Sequence, residues 1–197
     1  MLGIVQEQHP ERARLFHQWK QLDWPLYVDS YNYLEVPYVP ITLFIDEAGF
    51  VQYVVPFGET PGKALEDFLA QPVVTAPPVL GFQRKVDAGK PRFGDVASMD
   101  VAKLAKSEDQ WDHFHAGVAY RARYDSPERE SADFAKAVHH WTRALEIDPN
   151  NYIFRRRLQQ YGPRLDKPYP FYDWVIEARE EITERGEEPL ALVTEPG

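Results

Sequence analysis

The 197-residue chain contains no cysteine. That excludes disulfides, thiolate metal sites and any thiol nucleophile within the chain itself. It also lacks a long hydrophobic run: nothing in it approaches the ~20 apolar residues that span a bilayer. No basic N-terminal stretch leads into an apolar core, so no signal peptide is visible and a cytoplasmic protein is expected. Positive charge is scarce. Lys and Arg number 22 against 31 Asp and Glu, which leaves a net charge of −9. That balance disfavours both nucleic acid and an anionic membrane surface as partners. No glycine-rich phosphate loop and no Ser-His-Asp pattern stands out. What remains is an ordinary globular composition, 44% apolar, long enough for one or two domains.

The most informative stretch is VPYVPITLFIDEAGFVQYVV at residues 36–55. Ile41, Thr42, Leu43, Phe44 and Ile45 form a short β-branched and aromatic run, the length of a buried strand. Asp46-Glu47-Ala48-Gly49 supplies a turn, with Gly49 free to adopt the left-handed backbone of a bulged hairpin. Residues 50–55 then read as the returning strand. Pro40 cannot donate to a ladder, so it belongs at a strand mouth or at a cis bond.

Around this hairpin, residues 2–8 (LGIVQEQ) read as a strand. Residues 11–22 (ERARLFHQWKQL) read as a helix with Ala13, Phe16, Trp19 and Leu22 on one face, Leu15 beside them, and Arg12 and Arg14 outward. Thr60-Pro61 opens a second helix as N-cap and first residue, with Leu65, Phe68 and Leu69 as its apolar stripe. In order and spacing, residues 2–71 resemble the C-terminal half of a thioredoxin-like domain of the peroxiredoxin and TlpA type. The matching residues are Val39, Pro40, Ile45, Asp46 and Gly49. The resemblance implies that residues 24–29 lead into a cis-proline loop, and that Val39, before Pro40, presents its backbone to an extended substrate. It also implies a nucleophilic cysteine or selenocysteine on an earlier helix, where the helix dipole stabilises the thiolate. No such helix is present in this chain.

In that family the first strand lies between its neighbours, so residues 2–7 should lack a parallel partner and the hairpin should lack a covering helix. Buried strand backbone must find partners. Another polypeptide could supply the unit, the natural start could lie upstream of Met1, or residues 2–7 could pair with the hairpin. The second is expected, for instance through a stop codon read as selenocysteine.

From residue 72 to about 100 the chain turns Pro- and Gly-rich and reads as a linker. Beyond it the sequence is helical: residues 101–105, then an αα-hairpin over 108–124 and 132–147. Gly117 and Tyr120, then Ala137, Trp141, Ala144 and Pro149, resemble the tetratricopeptide repeat, and ALEIDPNN at 144–151 matches the end of such a repeat closely. The turn between the helices carries an insertion near Asp125-Ser126-Pro127, and 151–161 could begin a second unit before Gly162-Pro163 stops it. The resemblance makes Tyr120 and Trp141 the candidate partner-binding residues. DKPYPFYDW at 166–174 reads as an extended segment docked in a groove of the protein itself, ahead of a last helix over 171–185 with Trp174, Val175, Ala178 and Ile182 inward and Gly186 as its stop.

No metal site and no cofactor is expected. His113 and His115 face different sides of one helix, as do His139 and His140, although the four could meet across the hairpin. His9 follows the first strand, near the place a redox turn would approach. Arg155-Arg156-Arg157 fan too widely for one anion pocket and are expected to bridge to acidic surface. The architecture expected is therefore an incomplete α/β thioredoxin-like part (1–71), a linker (72–100) and an all-α, tetratricopeptide-like part (101–197). Two functions follow. One is a thiol or selenol oxidoreductase or peroxidase-related protein whose nucleophile is not in this chain, with Val39 and Pro40 as substrate contacts. The other is a redox-inactive scaffold that binds a protein partner through its helices.

Overall fold

The computed structural model describes residues 1–75, 101–104, 106–161 and 172–193. The chain divides into two compact units: one combines Met1–Pro37 with Gly94–Gly197, and the other is Tyr38–Phe93. This differs from the boundary expected at residue 71. The reason is physical: residues 1–37 share an apolar core and a buried polar seam with the helical region. The linker expected at 72–100 lies outside the described residues beyond 75. So do Gly162-Pro163 and the part of the docking segment before Tyr172.

In the first unit, β1 (Gly3–Val5), α1 (Pro10–Trp19) and β2 (Leu26–Val28) follow one another. β1 pairs with β2 in parallel, Ile4 opposite Tyr27 and Val5 opposite Val28. Residues 2–7 thus have a parallel neighbour after all, in the segment expected to be a lead-in to the loop. Pro10 opens α1, where its missing N–H costs nothing. Leu15 is fully buried, with Ala13 and Trp19 beside it, whereas Phe16 remains 39% exposed. Arg12 turns inward, against expectation, because its guanidinium finds the Tyr172 ring at 4.2 Å.

The last helix, α7 (Trp174–Glu184), packs on α1. Its Val175, Ala178 and Ile182 join Leu15 and Trp19 in one apolar cluster. Trp174 stacks on Trp19 at 5.8 Å, and the Trp19 indole N–H donates to Glu181 at 2.7 Å. Arg185 donates to the carbonyls of Gln18 and Trp19, satisfying acceptors that the C-terminus of α1 leaves open.

The helical part holds α3 (Val101–Leu104), α4 (Gln110–Tyr124), α5 (Asp133–Ile147) and α6 (Tyr152–Gln159). Asp109 caps α4 and Asn151 caps α6, each side chain accepting from two backbone N–H groups of the first turn. Trp111, Phe114 and Val118 of α4 meet Ala137, Trp141 and Ala144 of α5 and Ile153 and Phe154 of α6 in a second cluster. Gly117 faces Trp141, and a Cβ there would lie 2.5 Å from indole Cδ1. The small residues stand where the helices touch.

The second unit holds β3 (Leu43–Ile45), β4 (Val51–Val54) and α2 (Gly62–Leu69). The strands pair antiparallel with a register shift at Phe44/Ile45. Asp46 organises the turn: Oδ1 accepts from Ala48 and Phe50 N–H at 2.9 Å, and Gly49 takes φ +87°. Phe44 packs on Phe68 of α2 at 5.2 Å. Thr60 does not cap α2, which starts at Gly62 without a side-chain cap.

Candidate functional site

The site most completely built in the first unit is a polar seam where the ends of β1 and β2 meet α4 and α6. Glu7 lies at its centre. One carboxylate oxygen accepts from the N–H groups of Gln8 and His9, the other from the Tyr172 hydroxyl at 2.9 Å. Ser30 Oγ donates to the Glu7 carbonyl at 2.7 Å, tying the end of β2 to the end of β1. Arg157 reaches both from α6: it donates to the Gln8 side chain and, at 3.0 Å, to the Ser30 carbonyl. Arg157 was expected to meet acidic surface and is instead only 2% exposed.

His9 occupies the next position, 4% exposed. Its Nε2 lies 2.8 Å from Tyr161 Oη, and its Nδ1 is 3.8 Å from Asp125 Oδ2. Asp125 is held by Arg121, which donates from Nε at 2.8 Å and pairs through Nη2 at the same distance. Burial pulls the His9 pKa down to about 3, and the positive charges of Arg12, Arg121 and Arg157 push the same way. Burial also lifts Tyr161 to about 12 and raises Tyr172. With ring and phenol both neutral, the tautomer that carries its proton on Nδ1, toward Asp125, leaves Nε2 to accept from the Tyr161 O–H.

A pocket of about 310 Å³ opens beside this ring, walled by His9, Ser30, Tyr31, Val118, Ala122 and Asp125 among others. Its size suits a small molecule. Its chemistry is restricted: a base serves best with a pKa near the working pH, and His9 lies far below neutrality.

The loop after β2 is fastened within the same unit. Asn32 is fully buried at φ +53°, and its side chain pairs with both backbone groups of Val36. His115 Nε2 meets the Tyr31 carbonyl at 2.9 Å, and the N–H of Tyr152 donates to Pro37 at 2.8 Å. In the second unit the Val39–Pro40 peptide bond is cis, Val39 and Pro40 are exposed, and β3 starts beyond them at Leu43.

The two residues assigned to partner contact part company. Tyr120 is half-buried, its ring stacked on His140 at 5.5 Å. Trp141 is 0% exposed and stacked on Tyr161 at 5.4 Å, so it belongs to the core and is closed to a partner. Among the described residues no three His, Asp or Glu side chains converge to hold a metal ion. His9 and Arg157 carry no local sequence signal, because their partners Tyr161 and Gln8 lie 152 and 149 residues away.

No protein-family model, curated protein or solved structure matches the chain. No helix among the described residues is long and apolar enough to cross a membrane.

Proposed function

We propose that the chain is a thioredoxin-like protein of the thiol-disulfide oxidoreductase and peroxidase kind, completed by a strand-and-helix unit that carries the nucleophile. The supporting observation is a pair of half-covered sheets. On β1 and β2, Ile4 and Tyr27 stand opposite each other at 45% and 63% exposure. On β3 and β4, Ile45, Val51 and Val54 are each more than 40% exposed. Parallel sheets occur with both faces covered, and two-stranded sheets are marginal alone. A further strand with its helix would bury such faces. In this reading Val39 and Pro40 contact the substrate, Tyr120 belongs to a partner-facing helical surface, and the setting is the cytoplasm, where thiols are kept reduced.

A second reading is a redox-inactive scaffold that binds a protein partner, favoured by the absence of cysteine from all 197 residues. The intact mass of the protein from its native source separates the two. A mass several kDa above 22.9 kDa, with an added peptide containing cysteine or selenocysteine, supports the redox reading. So does a co-purifying chain bearing that unit. A lone chain of 22.9 kDa with no such companion overturns it in favour of the scaffold.

A further inference from the structure

Two histidines that the seam does not use meet inside the helical hairpin. His113 of α4 and His140 of α5 are each 5% exposed, and their Nδ1 atoms lie 3.0 Å apart. The rings lie at 23° to each other, with centroids 5.3 Å apart. A contact of that length between two ring nitrogens needs one N–H and one lone pair, so one proton occupies it. A second proton placed in the contact would leave an N–H on both Nδ1 atoms, facing each other across the same gap, and would make the ring that takes it cationic.

We propose that the His113–His140 pair is a proton-operated latch on the α4–α5 hairpin, closed by one shared proton and opened by a second. The surroundings favour the closed form. From α5, Arg143 and His139 both oppose added positive charge on the pair. From α4, Asp112 favours it, and in the turn before α4 the Ser107 backbone bonds to the His113 ring and acts in the same direction. Burial outweighs these, lowering His113 and holding His140 down to about 4. Against His140 lies the Tyr120 ring at 3° to it, and the Lys136 and Arg123 cations lie 5.2 and 5.6 Å from the centroid of that tyrosine ring. The latch therefore sits directly beneath a half-buried tyrosine of the hairpin surface. Acid that reaches the pair loosens the two helices and the footing of Tyr120 together. The inference stands on hairpin geometry and is independent of any redox role.

The test is hydrogen exchange on the full chain, read as protection factors for α4, α5 and α7 between pH 7 and pH 5. α7 belongs to the other apolar cluster and serves as the internal reference. Protection in α4 and α5 is expected to fall about 25-fold more than in α7 over that interval, approaching one decade per pH unit below about 6.5 as the opened state binds the extra proton. His140→Leu should abolish the excess, and His139→Gln should retain it. Equal losses in all three helices, or an excess that survives His140→Leu, would overturn the latch. Should His140→Leu not fold, imidazole nitrogen spectra of the wild type decide. The latch requires neither ring to become cationic while α4 and α5 stay protected; two rings charging near pH 6.5 in an intact hairpin would sink it.

Discussion

Gly117→Ala tests whether the helical hairpin is as tightly seated as its geometry indicates. In an ordinary helix interior the change would help, since alanine is favoured over glycine by about 1 kcal/mol. Here the added methyl would lie 2.5 Å from Cδ1 and 2.9 Å from Cε2 of Trp141. That indole is fully buried and stacked on Tyr161, so it has nowhere to retreat. Overpacking of this kind costs about 1–3 kcal/mol and can exceed that where the neighbour is rigid. We expect a net loss of about 1–2 kcal/mol, or a melting temperature lower by about 3–6 °C for a chain of this size.

The assay is urea unfolding followed by circular dichroism at 222 nm. A second background isolates the cause. The Trp141 indole N–H has no hydrogen-bond partner, so Trp141→Leu removes volume without stranding an acceptor. In that background the alanine methyl has room, and only its helix preference is left. The two changes should therefore couple by about 1 kcal/mol or more. If Gly117→Ala is as stable as the wild type, or costs the same with leucine at 141, close contact is not what this glycine provides.

Three further outcomes follow from the seam and the sheets. Arg157→Leu removes the donor to Gln8 and Ser30 from a buried position and should cost about 3 kcal/mol in the same urea experiment, with lysine a poor substitute. His9 binds its proton in the fold only near pH 3, whereas an unfolded chain's histidine does so near 6.5. On acidification the unfolded state takes up that proton first. The His9 contribution is therefore complete above pH 6.5 and shrinks as pH falls toward 3, with about 2 kcal/mol gone by pH 5; His9→Gln should flatten that part of the profile. Finally, the bare faces should bind the dye ANS, and Ile4→Lys combined with Val51→Lys should lower its fluorescence. No dye binding by the pure chain would mean those faces are already covered.

Much of this architecture was legible because its causes are local. Asp46 and Gly49 announce a turn whose hydrogen bonds span four residues, and the structure forms that turn with the side chain expected. The paired apolar positions of 108–124 and 132–147 announce two helices, and Gly117 opposite Trp141 explains why a small residue recurs at their contact. The same periodicity also fixed the inward face of α7. Where the reading failed, the deciding contact was distant. Arg12 sits at a position that helical periodicity places outward, yet it is drawn in by Tyr172, a residue far along the chain. Arg157 belongs to a run of three arginines that resembles solvated surface, and only the ends of β1 and β2 make it a core residue.

The seam also decides how the chain divides. A boundary at residue 71 follows from the resemblance to a thioredoxin-like domain, which keeps residues 2–71 together. The contacts separate β1, α1 and β2 from the hairpin because another surface competes for them. Ser30 and Gln8 bond to Arg157, Glu7 to Tyr172, His9 to Tyr161, and Leu15 and Trp19 to α7. Four polar groups of the first 37 residues are thereby satisfied by the helical region. Buried polar groups left unpaired cost about 1–3 kcal/mol each, so pulling residues 1–37 away would cost far more than the few backbone bonds of a three-residue strand pair return. The helical region is on this argument the fixed partner of β1, α1 and β2.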